Sequence, residues 1–196
     1  MAQIPQIIKL RQIYIDLNNP RHDPQESEHD AIQLLIAKED IRALAKHIAE
    51  IGSTSPLDLM AVIPHAKVKD GFTAAEGNRR LCALKLLADP DKAAKVIDKR
   101  YFEKLKQQMG ASTIAEVQAV TFASMDTARQ WVELRHDAPA GVGTKKWDAE
   151  EKARFNKQGK ANKSGLQYSN QANAMAEAGA DQVNLAAIDR INAATR

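Results

Sequence analysis

Hydrophobic and polar positions change rhythm along the chain, and the changes outline its elements. Ile7, Ile8, Leu10, Ile13 and Ile15 gather in an isoleucine-rich, strand-forming run that predicts a strand over residues 7–15. Asn18-Asn19-Pro20 then breaks it, because the residue before a proline is pushed out of the helical region. A helix is expected over residues 28–37. The next helix carries Ile41, Leu44, Ala45, Ile48 and Ile51 on one face, with Gly52 where a left-handed C-cap residue belongs. Strands follow over 57–63 and 71–75, then a helix from Asn78 that ends at Asp89-Pro90 and buries Leu81, Leu84 and Leu87, with Cys82 beside them. Two shorter helices are expected in 90–97 and 100–109, a strand over 117–122, and a helix capped by Asp126 that runs through Leu134.

Pro139, Gly141 and Gly143 mark a hinge, beyond which Asp148 and Glu151 resemble a capping box opening a helix through Lys157. This order predicts an α/β (α+β) fold: a small mixed sheet with helices over residues 1–137, then a helical extension over 138–196. The extension is alanine-rich and weakly apolar. It reads as the beginning of a longer protein's next part, or as a segment packed on the main domain or on a second copy.

Composition narrows the class. Of 196 residues 44% are hydrophobic but only 5% aromatic, so Ile, Leu, Val and Ala must build the core. No run approaches the roughly 18 apolar residues of a membrane span, and residues 1–9 lack the pattern of a secretory signal, so no membrane partner is expected. Cys82 stands alone, which rules out an internal disulfide and points to a reducing, cytoplasmic setting. Five histidines without ligand spacing predict no metal cluster, and Trp131 beside Val132 and Leu134 reads as core. Charge is uneven: residues 1–90 hold 11 basic against 12 acidic side chains, and the remainder 17 against 13. Lys145, Lys146, Lys152, Arg154 and Lys157 concentrate the excess, a pattern that suits either a phosphate backbone or a solvated helix face.

The chemistry centres on Glu76-Gly77-Asn78-Arg79-Arg80. A strand that enters a glycine turn and leaves as a helix presents unpaired N–H groups and a partial positive charge, which favour an anion. Gly77 allows close backbone approach, Arg79 and Arg80 supply forked donors for phosphate, and Glu76 can hold Mg²⁺ or accept a proton. The opposing view is that two surface arginines simply pair with nearby carboxylates. No Walker-type phosphate loop is present.

Three motifs occur in an order that resembles the N-terminal domain of ParB-type partition proteins, in the ParB/sulfiredoxin superfamily. Residues 13–21, Ile-Tyr-Ile-Asp-Leu-Asn-Asn-Pro-Arg, are similar to its strand and Asn-Pro-Arg opening. Residues 40–52 resemble its Leu-Ala helix with a closing glycine, and residues 71–84 its Gly-Glu-Arg-Arg loop and following helix. The resemblance covers about residues 7–136. It implies a nucleotide-dependent, DNA-associated protein of bacterial, plasmid or phage partition type, cytoplasmic and nucleoid-associated, with DNA and a second copy of itself as partners. Gly77, Asn78, Arg79 and Arg80 would bind a nucleoside triphosphate, CTP or ATP, with Mg²⁺. Glu133, Arg135 and His136 stand where the family's second nucleotide motif, Glu-Asn-x-x-Arg, is expected, although no asparagine follows Glu133, and Asn78 replaces a glutamate. The same superfamily implies two alternatives. One is a nuclease or small phosphotransferase with Glu76 as its catalytic base; the other is a DNA-binding adaptor that has lost its nucleotide.

Overall fold

The structure is a computed structural model. It describes residues 4–110 and 114–144, and beyond them 146–148, 151–152 and 155. The chain divides into two compact units, Met1–Pro139 and Ala140–Arg196.

The first unit is α/β. Its strands are β1 (Pro5–Lys9), β2 (Ile13–Tyr14), β3 (Met60–Pro64), β4 (Phe72–Glu76) and β5 (Glu116–Thr121). Its helices are α1 (Glu28–Lys38), α2 (Ile41–Ile51), α3 (Asn78–Ala88), α4 (Val96–Met109) and α5 (Met125–His136). The five strands form one mixed sheet in the order β1-β5-β3-β4-β2. β1 runs antiparallel to β5 and β3 antiparallel to β4, whereas β5–β3 and β4–β2 are parallel.

The single strand expected over residues 7–15 is in fact two. A 3₁₀ turn, Leu10–Gln12, separates β1 from β2, which occupy opposite edges of the sheet. Four residue steps reach at most about 14 Å, whereas five strands laid flat span about 19 Å. The sheet must therefore curl until its edges approach.

Strand alternation gives the sheet two apolar faces. Ile8, Met60, Val62, Ala74, Val117 and Ala119 face the main core, where α3 is enclosed along almost its whole length. Ala61, Ile63, Ala75 and Val120 point the other way, and Ala128 and Val132 of α5 pack over them. α5 thus reaches back across β3 and β4 to the end of β4.

Several expectations move. Leu57 is exposed, and the strand begins at Met60. The two short helices become a 3₁₀ turn, Pro90–Lys92, and the single helix α4. Ser124, not Asp126, caps α5, through a reciprocal bond with Thr127. Ile51 is exposed at the end of α2, where Gly52 adopts φ +79° as its C-cap. Trp131 is 54% exposed, because Ala128 and Val132 already supply the side of α5 that meets the sheet. In the second unit, Asp148 and Glu151 exchange the expected capping bonds, each 2.8 Å, and Trp147 packs on Phe155.

Candidate functional site

β4 delivers Glu76, and Gly77 turns the chain at φ +93° into α3 with no side chain capping the helix start. A Cβ at Gly77 would sit 3.0 Å from Met60 Cγ and 3.3 Å from Arg80 Nη2, in a backbone region that L-residues avoid. Only glycine fits this turn without strain.

Asn78 looks inward. Its Oδ1 accepts from the backbone N–H of Asp16 at 2.9 Å and its Nδ2 donates to the Ala74 carbonyl at 3.0 Å, both buried. The side chain therefore ties the loop after β2 to the middle of β4, which leaves only the Asn78 backbone for a ligand. The sequence held the signal: Asn78, Leu81, Cys82 and Lys85 fall at helical spacing on one enclosed stripe.

Adjacent helical residues point about 100° apart, and the two arginines diverge accordingly. Arg79 Nε donates to the carbonyl of Glu39, the C-cap of α1, at 2.9 Å and lies 3.7 Å from the Glu39 carboxylate. That carboxylate also binds Arg21 at 2.8 Å, so the Asn-Pro-Arg turn does reach the loop. Among the described residues Arg79 Nη1 and Nη2 have no hydrogen-bond partner, and the side chain is 38% exposed. Arg80 is more committed. Its Nη1 donates to the carbonyl of Asp58 and its Nη2 to that of Leu59 at 3.3 Å. Burial draws this guanidinium below its ordinary value, while the Asp58 carboxylate opposes the shift, and an arginine stays charged throughout.

On the Arg80 side, α5 closes a charge cluster. Arg135 Nη2 binds Asp58 Oδ1, and Arg135 Nε lies 3.4 Å from Glu76 Oε1. His136 Nε2 meets Glu76 Oε2 at 2.8 Å. Glu76, Arg135 and His136 are thus brought together as the loop and the later helix meet. Glu133 makes no side-chain hydrogen bond or ion pair among the described residues. Asp58 and Glu39, which the sequence did not single out, are the acidic partners that organise both arginines.

Hydrogen bonding to Arg135 outweighs partial burial and holds the Asp58 carboxyl below its ordinary value of 3.8. A depressed folded value gives stability that is present above 3.8 and lost as pH falls through the lower, folded value. Asp58→Asn should therefore melt earlier than wild type near neutral pH, and the gap should close as melting curves are taken below pH 3.8. A gap of constant size down to strong acid would contradict the pairing.

Other candidates separate cleanly. Burial pushes the Cys82 thiol far above its ordinary value, so it is an inert core residue. No group of three or more potential metal ligands occurs among the described residues. No helix among them is long and apolar enough to cross a membrane. Lys146 and Lys152 are exposed, whereas Lys145, Arg154 and Lys157 lie outside the described residues.

No family model matches the chain, and no curated protein matches it. Among solved structures it is similar to the C-terminally truncated chromosome-partitioning protein ParB from Caulobacter crescentus complexed with CTP-gamma-S. The likeness has a TM-score of 0.42 and 14% identity, over 78% of this chain and 61% of that one. At that level it transfers no residue and no role, and the chain spans less than two thirds of the solved one.

Proposed function

We propose that this chain is a nucleotide-dependent, DNA-associated protein of the ParB-like partition type that holds a nucleoside triphosphate at Gly77–Arg80. The observation that carries this reading is an uncapped helix start behind a left-handed glycine, with the open fork of Arg79 on one side and Arg80 and Arg135 on the other. The order of the three sequence motifs supports it from a separate direction.

The backbone N–H groups at the start of α3 favour phosphate oxygens, and Arg79 offers two terminal nitrogens that suit a bidentate contact. Arg135 stands between Asp58 and Glu76. If Arg135 turns to a phosphate, Asp58 and Glu76 lose their shared partner, and these two carboxylates are the residues that would hold a Mg²⁺ beside the phosphates. A bound Mg²⁺ would supply charge neutralisation at the phosphates. Glu133 is not part of this set, whereas His136 bears on it through Glu76.

The extension over 138–196, with Lys145, Lys146, Lys152, Arg154 and Lys157, is the proposed DNA-facing part, and a homodimer is the proposed assembly. Fluorescence anisotropy of a labelled duplex tests the coupling across a salt series, with and without CTP or ATP and Mg²⁺. Affinity that falls with salt and shifts with nucleotide is expected. Salt-dependent affinity indifferent to nucleotide contradicts the coupling and favours the adaptor.

One contact favours a second reading. The Glu76–His136 pair at 2.8 Å is the kind of carboxylate–imidazole unit that serves a general base. A nuclease or phosphotransferase of this type would lose turnover in Glu76→Gln while keeping its substrate affinity.

A further inference from the structure

A cleft of about 590 Å³ opens beside the C-terminal end of α3, where the 3₁₀ turn between β1 and β2 passes the start of β5. Its volume falls in the range of small-molecule sites. The site described above lies at the opposite, N-terminal end of α3, and none of its residues lines this cleft. The cleft therefore calls for its own account, independent of the nucleotide reading.

Lys85 lines the cleft and its side chain is only 7% exposed. The ammonium has three N–H donors. It meets Glu28 Oε1 at 2.9 Å and lies 5.2 Å from the centre of the Tyr14 ring. Glu28 Oε1 is itself shared, because it also accepts from the Ile15 backbone N–H at 3.0 Å. Among the described residues Glu28 is the one carboxylate paired with this ammonium, so its other N–H donors have room for a further acceptor from the cleft.

Charge around the cleft selects the ligand. Lys85 is balanced by Glu28, and Lys92 lies 3.7 Å from Asp89. Lys9 and Arg11 at the exposed rim have no ion-pair partner among the described residues and face one further carboxylate, Glu116. The lining thus carries an excess of one positive charge. Leu10, Ala88 and Ile114 make the rest of the wall apolar.

We infer that this cleft binds a small organic monoanion, a carboxylate with a short apolar body, through Lys85 in its floor and Lys9 and Arg11 at its rim. The apolar body lies against Leu10 and Ile114, and the carboxylate adds an acceptor for the Lys85 ammonium beside Glu28. A dianionic phosphate ester would over-neutralise the excess charge.

Calorimetric titration of the full chain with octanoate and 4-phenylbutyrate, and with the two uncharged amides, tests this. Saturable binding of at least one carboxylate is expected, weakened about tenfold or more in the Lys9→Ala/Arg11→Ala double variant and unchanged in Arg79→Ala. Amide shifts centred on residues 9–14, 85–92 and 114–116 would accompany it. Lys85→Met should also lose binding; because it strands Glu28, the exposed rim variant carries the test if that protein does not fold. Absence of saturable binding by both acids overturns the inference. So does equal binding of acid and amide, or indifference to the rim variant.

Discussion

Arg79→Ala is expected to weaken binding of a nucleoside triphosphate at least about 100-fold while barely changing the melting temperature. Charged hydrogen bonds contribute about 1.5–3 kcal/mol each, so loss of a bidentate pair removes two factors of ten or more. In the folded protein Arg79 spends only Nε, on the carbonyl of Glu39, the C-cap of α1. Its partner Glu39 retains Arg21, so removal of Arg79 leaves no acid stranded. Arg80 behaves differently. Both of its terminal nitrogens hold the chain ahead of β3, through the carbonyls of Asp58 and Leu59, so Arg80→Ala should lose affinity and stability together. Competition against a fluorescent nucleotide, read beside melting curves, separates the two arginines. Wild-type affinity in Arg79→Ala would remove this side chain from the site.

Asn78→Ala is expected to destabilise the first unit by about 3 kcal/mol, the cost of two buried polar groups left without partners. The groups are the Asp16 N–H and the Ala74 carbonyl, neither of which is within reach of a shorter side chain. Asn78→Asp should be no milder. Its carboxylate still accepts from Asp16 but has no donor for Ala74, and it places a charge where Asn78 is 5% exposed. Urea denaturation measures both. A loss under about 1 kcal/mol would mean that the loop relaxes and that Asn78 does not pin it. Because the same side chain sets the start of α3, either variant should also disturb ligand binding at Gly77.

These two residues mark the boundary of what the chain reveals by pattern alone. Gly77, Gly52 and the apolar stripe of α3 announce themselves, because a left-handed turn and a buried helical face leave chemical signatures in the chain. Adjacency in sequence groups Asn78 and Arg79 as ligands. Helical geometry then sends one inward to Asp16 and the other outward to Glu39. Asp58 and Glu39 stay hidden for a related reason. Each lies between elements, and nothing local marks an acid whose partner is Arg135 or Arg79, dozens of residues away. The turn at Leu10–Gln12 is concealed because it begins on a leucine as apolar as the strands it joins, so hydrophobic pattern alone does not divide them. Nothing local marks Lys85 as buried; its enclosure follows from its place one turn beyond Leu81 and Cys82 on α3.

The central claim is that the glycine turn at the head of α3 is a triphosphate site, and calorimetric titration of the wild-type chain with CTP, ATP and GTP, each with Mg²⁺, tests it most directly. Saturable binding of one nucleotide with a single site per chain is the predicted result. Absence of binding heat for all three at several temperatures would contradict it. Arg79, Arg80 and Arg135 would then be clamps that hold α1, β3 and α5 in place.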